Sequence, residues 1–189
     1  MRKMFECTIN DLPLKFETNM KVFSPLNADK GTLAMLSVVE FTPDDKLLDL
    51  GCGYGLVGIY AAHFMPPQNI VMSDTDKNCI DLSKKNAALN GIDGMNIVLS
   101  NGFENIADND FTLILSNPPY HADFSVPKHF IEKGFNRLKI GGKMYMVTKR
   151  RDWYKNKLTA IFGGVKVMEI DGYFIFCAEK RSVRYANKK

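Results

Sequence analysis

No apolar run in this 189-residue sequence approaches the ~20 residues that a helix needs to cross a bilayer. The opening MRKMFECTIND turns polar before a signal-peptide core could form. These two absences speak against a helical membrane span or a secreted product, and a cytoplasmic protein is expected. Cysteines are few. Cys7, Cys52, Cys79 and Cys177 are scattered, with no C-x-x-C pair and no histidine at metal-ligand spacing, so neither a disulfide framework nor a metal site is expected. All four read as reduced thiols, mostly in the core. Repeats, low-complexity tracts and linkers are lacking too. That leaves one domain over residues 1–189, with an N-terminal hairpin and helix over 1–45, a core over 46–180 and a basic tail over 181–189. At 46% hydrophobic and 24% charged, such a chain can bury one sizeable core.

The net charge is only +4, which by itself says little about partners. Its distribution is uneven. KRRDWYKNK, residues 149–157, holds five basic residues and one acid, a net of +4, and KRSVRYANKK, residues 180–189, holds five basic residues and no acid, a net of +5. The remainder therefore carries −5 against the total of +4. Cations interleaved with Trp153, Tyr154 and Tyr185 fit a phosphate-backbone footprint, and they fit equally a solvated helix face followed by a frayed tail.

What is present is an alternation of apolar strands and helices. CTINDLPLKF reads as a hairpin turning at Asn10-Asp11, and DKGTLAMLSVVEF, from Asp29, as a helix packed through Leu33, Leu36 and Val39. KLLDLGCG is a buried strand ending in glycines. The helix carrying Ile59, Ala62 and His63 stops at Pro66-Pro67. NIVMSD is a strand, and DKNCIDLSKKNAALNG a helix closed by Asn90-Gly91. NIVLSN and FTLILSNPPY follow, then a helix from Pro127 to about Leu138 closing at Gly141-Gly142. KMYMVTK is a strand, and RDWYKNKLTAIF a helix that stops at Gly163-Gly164. KVMEIDG and YFIFCAEK have only a turn between them, so they form an antiparallel hairpin. The expected fold is α/β, a doubly wound seven-stranded mostly parallel sheet with an antiparallel C-terminal hairpin and a short N-terminal one.

Such sheets bind ligands beyond the carboxyl ends of their strands, where the strand order reverses. There the first core strand ends in Asp49-Leu50-Gly51-Cys52-Gly53-Tyr54-Gly55, a D-x-G-x-G-x-G loop that admits a ligand close to the backbone and aims a helix N-terminus at it. Its spacing departs from the dinucleotide pattern G-x-G-x-x-G, and the P-loop lysine is missing. Asp74, about twenty residues on, ends the second strand where a carboxylate can accept both hydroxyls of a ribose. NAD and S-adenosylmethionine both satisfy that geometry. A purely structural role for Asp74, as an N-cap, could be filled as well by Thr75 or Asp76.

SNPPYH, residues 116–121, separates the two readings. DLGCGYG, the acid at Asp74 and NPPY after the fourth strand together resemble a class I S-adenosylmethionine-dependent methyltransferase of the group acting on planar nitrogens. With VFSPLNADKGTLAML ahead of the first strand, the chain looks most like the catalytic domain of RsmC-like ribosomal RNA guanine methyltransferases, the "methyltransferase small" domain. The likeness covers nearly the whole chain, which is too short for the degenerate extra domain of some relatives. It implies S-adenosylmethionine as cofactor, with Asp49, Gly51 and Gly53 around its methionine part beside Cys52, and Gly55 permitting tight entry to the helix. Asp74, with Thr75 next to it, would hold the ribose. Asn101-Gly102 with Phe103 stands where relatives contact the adenine, Asn101 replacing a more usual Asp. Asn27, Asp29, Lys30 and Thr32 match the family's lid, or else cap a helix.

The chemistry accounts for NPPY. An exocyclic purine amine is a poor nucleophile because its lone pair is delocalised, so the site must aim that pair at the methyl. The Asn117 side-chain carbonyl and the Pro118 backbone carbonyl can accept its two hydrogens, Pro118 and Pro119 stiffen the loop, and Tyr120 offers a ring for an unstacked base. No strong general base is required, so His121 reads as a loop residue near the substrate path. Lys30, Lys149, Arg150 and Arg151 are candidate substrate contacts. The expected partner is ribosomal RNA or a ribosomal subunit, with neither metal nor membrane, as monomer or dimer. An adenine amine, a protein glutamine amide and a non-catalytic RNA-binding module stay open as alternatives.

Overall fold

The structure, a computed structural model, describes residues 2–19, 27–119 and 123–186. At the N-terminus, β1 (Arg2–Ile9) and β2 (Leu12–Asn19) pair antiparallel across Asn10 and Asp11, at φ 47° and 63°. These residue types tolerate the left-handed region that a two-residue hairpin demands. The helix α1 (Lys30–Leu36) follows. It is shorter than its apolar pattern suggested and leaves Leu33 only half-buried, with Val39 buried beyond its end. Ser37 ends it by donating its hydroxyl to the Ala34 carbonyl at 2.8 Å, and the β-branched pair Val38-Val39 does little to prolong it.

The core then runs β3 (Leu47–Leu50), α2 (Leu56–Ala61), β4 (Ile70–Asp74), α3 (Lys77–Leu89), β5 (Asn96–Leu99), β6 (Phe111–Ser116), α4 (Ser125–Arg137), β7 (Leu138–Thr148), α5 (Arg151–Phe162), β8 (Lys166–Ile170) and β9 (Tyr173–Glu179). The seven strands order as β5-β4-β3-β6-β7-β9-β8, parallel through β7, with β9 antiparallel to both neighbours. The fold is therefore the expected doubly wound, mostly parallel α/β sheet, with both terminal hairpins.

Side chains alternate between two cores. Leu47 faces the one built with the first hairpin and α1 to α3, whereas Leu48 and Leu50 face the one built with α4 and α5. From β3 the chain winds outward to β5, then returns to β6 on the other side of β3, so a crevice opens at the carboxyl ends of β3 and β6.

One expectation needs correction, and one open alternative closes. Gly141-Gly142 does not close α4, because β7 begins at Leu138 and contains both glycines. They form a bulge at which pairing with β6 shifts from Phe111–Leu138 to Leu113–Lys143, and a Cβ on Gly142 would lie 2.8 Å from the Phe111 carbonyl oxygen. The basic tail is not frayed through residue 186. Ala186 donates its amide to Ile161 O (3.0 Å), Tyr185 its hydroxyl to Glu132 O (3.0 Å), and buried Lys180 its ammonium to Leu138 O (2.6 Å). Since Lys180 exchanges backbone hydrogen bonds with Gly141 and Gly142 and reaches Leu138, the first residue of β7, this segment lies at the end of the sheet opposite the crevice. The two basic segments thus do not make one patch.

Candidate active site

The crevice holds a cavity of about 370 Å³, lined from the ends of β3, β4, β5 and β6. Its floor is the glycine loop. The Gly51 and Cys52 amides both donate to the Ser73 carbonyl (2.8 and 2.9 Å), Gly53 N donates to Asp74 Oδ2 (2.9 Å), and the Ser83 hydroxyl holds the Gly53 carbonyl (2.9 Å). Gly51 and Gly53 have φ of +79° and +57°, and a Cβ on either meets no protein atom within 4 Å. Backbone conformation, and not crowding inside the chain, selects glycine there.

Behind the loop stands the first hairpin. Tyr54 packs edge-on against Phe5 and Phe16, at ring centroid distances of 5.8 and 5.4 Å. Asn86 of α3, fully buried, accepts from Glu17 N (2.7 Å) and donates to Glu17 O (3.0 Å) and Tyr54 O (2.9 Å). One amide thereby ties hairpin, helix and loop together.

Asp49 lines the cavity and is buried. Its Oδ2 accepts from Gly58 N at 3.1 Å, supplying α2 with the cap that Gly55 has no side chain to give. Burial pushes its carboxyl up to about 7, the Gly58 amide opposing and the Asp74 charge adding to the rise. Asp74 also accepts from Asp76 N (3.0 Å), while Asp76 itself caps α3 through Asn78 N (2.8 Å). A carboxylate oxygen has more than one lone pair, so Asp74 retains acceptor capacity toward the cavity. Asn101 sits exposed at the rim, its amide nitrogen on Glu104 Oε1 (3.0 Å). Neither cysteine in the wall is disposed to form a thiolate. Burial, with the nearby Asp49 and Asp74 charges, drives the Cys52 thiol well above its ordinary range, and burial with Asp74 and Asp76 lifts Cys79 to about 12.

On the opposite wall, Asn117 donates Nδ2 to Asp29 Oδ1 (2.7 Å) and to Thr32 Oγ1 (2.9 Å). Asp29 Oδ1 also accepts Thr32 N (2.8 Å), so one carboxylate both caps α1 and holds the amide. A carboxylate facing the amide fixes which end is nitrogen. The carbonyl end, Asn117 Oδ1, is buried without a hydrogen-bond partner among the described residues, a costly state for an oxygen beside a cavity unless a donor arrives.

The structure brings together Asp49, Gly51, Cys52, Gly53, Asp74, Thr75, Asn101, Gly102, Asn117, Pro118 and Pro119 around the cavity. It places Phe103 elsewhere. The rule that ligands gather at strand ends locates a loop's backbone but not where each side chain turns, and this ring is buried in the α4/α5 core, 6.1 Å from His129. Gly55 stays under the loop, packed on Met72. Lys30, Lys149, Arg150 and Arg151 are exposed and outside the lining. Tyr120 and His121 lie outside the described residues. Buried Ser73, whose hydroxyl has no hydrogen-bond partner among the described residues, lines the cavity without having been foreseen, as do Val126 and Phe130 of α4. Their spacing, i and i+4, was legible, but a helix face toward a cavity reads like one toward a core. Among the described residues no acidic, histidine or cysteine cluster could hold a metal, and no helix is long and apolar enough to cross a membrane.

Known proteins resemble this chain over most of its length. A Pseudomonas putida (strain GB-1) ribosomal RNA small subunit methyltransferase C is 30% identical over 183 residues, 94% of this chain and 54% of the relative. The chain thus spans about half the length of that protein. YbxB of Bacillus subtilis (strain 168) is 32% identical over 171 residues, 87% of this chain and 85% of its own. The solved T. thermophilus 16S rRNA methyltransferase RsmC, in complex with AdoMet and guanosine, superposes with a TM-score of 0.88 at 24% identity, over 96% of this chain and 51% of that one. The sequence profile of the Methyltransferase small domain matches residues 13–177, and the chain belongs to that family.

Proposed function

We propose that the protein is an S-adenosylmethionine-dependent N-methyltransferase acting on the exocyclic amine of a guanine in small-subunit ribosomal RNA, in the cytoplasm. The observation that carries this is the unpartnered, buried Asn117 Oδ1, an acceptor held facing outward from the Asp29–Thr32 clamp. The names of the longer relatives support the RNA substrate, and so do the exposed cations that follow β7.

The residues fit the cofactor. The open glycine loop admits a ligand to the backbone, the two Asp74 oxygens suit a ribose, and Asn101 at the rim suits an adenine. When bound, S-adenosylmethionine supplies an electrophilic methyl on a sulfonium. Asn117 Oδ1 accepts one hydrogen of the target amine and the Pro118 carbonyl the other, which turns the nitrogen lone pair toward the methyl. Pro118 and Pro119 keep both acceptors aimed. The amine turns acidic only as it is alkylated, so its proton can pass to a carbonyl or to water with no dedicated base. The guanine must leave its stack to reach Asn117.

Transfer of labelled methyl from S-adenosylmethionine to ribosomal subunits and total RNA, taken from a strain lacking the protein, tests this, with Asn117→Ala as control. Label on one guanine, absent with the variant, is expected. Label on adenine or on polypeptide would move the substrate class, and no label despite measured cofactor binding would favour a non-catalytic RNA-binding role.

A further inference from the structure

Two residues before Val126 enters the cavity wall, Phe124 begins α4 with 36% of its surface exposed, an unusual position for a phenyl ring. The ring is not alone. Trp153 of α5 stacks on it at 4.4 Å with planes 16° apart, and the Arg150 guanidinium lies 5.1 Å from its centroid. Tyr154, buried beneath, meets Trp153 edge-on at 5.1 Å and stacks on Phe176 at 5.7 Å, so the column stands on the core.

Its electrostatic setting is also unusual. Lys149, Arg150 and Arg151 crowd the N-terminus of α5, where the helix dipole disfavours cations, and Lys155 is exposed one turn on. Asp152 pairs with Arg151 at 3.5 Å, whereas among the described residues Arg150 has no carboxylate partner. Cations gathered against a dipole are relieved by an anion, and a phosphate chain supplies one without neutralising the rings. Because β7 pairs in parallel with β6, this cluster emerges at the same end of the sheet as Asn117. The other basic segment is at the far end.

We infer that Arg150, Phe124 and Trp153 form a stacking platform for a nucleobase next to the one that enters the cavity, with Lys149, Arg151 and Lys155 on the adjoining phosphates. This rests on the RNA reading of the substrate and names where the strand continues outside the cavity. Base–aromatic stacking tolerates any base, so the platform holds the strand while the cavity selects the nucleotide.

Trp153 is the sole tryptophan of the chain, which makes the test direct. The full-length protein is titrated with an end-labelled RNA hairpin carrying unpaired guanines in its loop, following RNA anisotropy and tryptophan emission together. Emission is expected to fall in step with binding. Phe124→Ala should weaken RNA binding about 10-fold, leaving unchanged both the slope of affinity against salt and the affinity for S-adenosylmethionine, and Phe124→Tyr should restore it. Arg150→Gln should lower the salt slope. RNA binding with unchanged emission, or with full affinity in Phe124→Ala, overturns the platform alone. No RNA binding by the parent protein overturns the RNA substrate and the platform with it. The S-adenosylmethionine affinity of each variant reports that it is folded.

Discussion

Along the cleft, the glycine-loop wall and the Asn117 wall treat their polar groups differently. On the first, loop amides and carbonyls are matched by Ser73 O, Asp74, Ser83 and Asn86, and the hairpin packs behind them. On the second, effort goes into holding one amide by its nitrogen so that its oxygen stays unmatched, and the surface beyond carries exposed rings and cations. Under the proposed function the first wall faces the cofactor with its loop backbone matched in advance, leaving Ser73 Oγ and Asp74 turned to the cavity. The second wall, under the same function, receives part of an RNA and keeps its acceptor open until the substrate supplies the donor, already aimed before the reaction begins.

The comparison breaks most visibly at Asn117. Asn117→Ala should cut turnover by about 10³-fold while S-adenosylmethionine affinity, measured by calorimetry, stays within a factor of about two. Loss of cofactor binding in that variant would mean that the walls are not separable. On the other side, Asn86→Ala strands the Glu17 amide and the Glu17 and Tyr54 carbonyls in the core, and should cost about 3 kcal/mol in urea unfolding. An unchanged midpoint would show that the hairpin does not brace the loop. Asp74→Ala comes next, with cofactor affinity lower by about 10- to 100-fold and little change in the rate at saturation.

The last test sharpens the contrast through pH. The Asp49 carboxyl is raised from 3.8 to about 7 in the folded protein, so the native state holds its proton more tightly than the unfolded chain does. Its contribution to stability is full below the lower value and is lost as pH rises through the upper one. Asp49→Asn should therefore lose less stability than the parent between pH 4 and 7, the window set by those two values. Parallel unfolding curves for the two proteins would contradict the burial argument.

Much of this was legible in the chain. Parallel strands buried on both faces read as apolar runs, and Asp49, Asp74 and Asn117 fall at strand ends where the crevice must be. Apart from the early end of α1, which has a local cause, what was missed involves contact with something distant in sequence. Gly141-Gly142 looked like a helix stop because a glycine pair punctuates any chain, and only the Phe111 carbonyl alongside makes it a bulge. Asp29 caps α1 as its sequence position suggested, but its hold on Asn117, 88 positions away, was not legible. The position of Phe124 against Trp153 needed α4 and α5 side by side.

The Asn86 tie also has a consequence for synthesis. Glu17 leaves the ribosome 69 residues before the side chain that secures it, an interval of roughly 3 to 14 seconds at ordinary elongation rates. A lone two-stranded hairpin is at best marginally stable in water. For that interval the hairpin has little to hold it, and the cofactor floor can close only once α3 has emerged and the opening residues of the chain have found it.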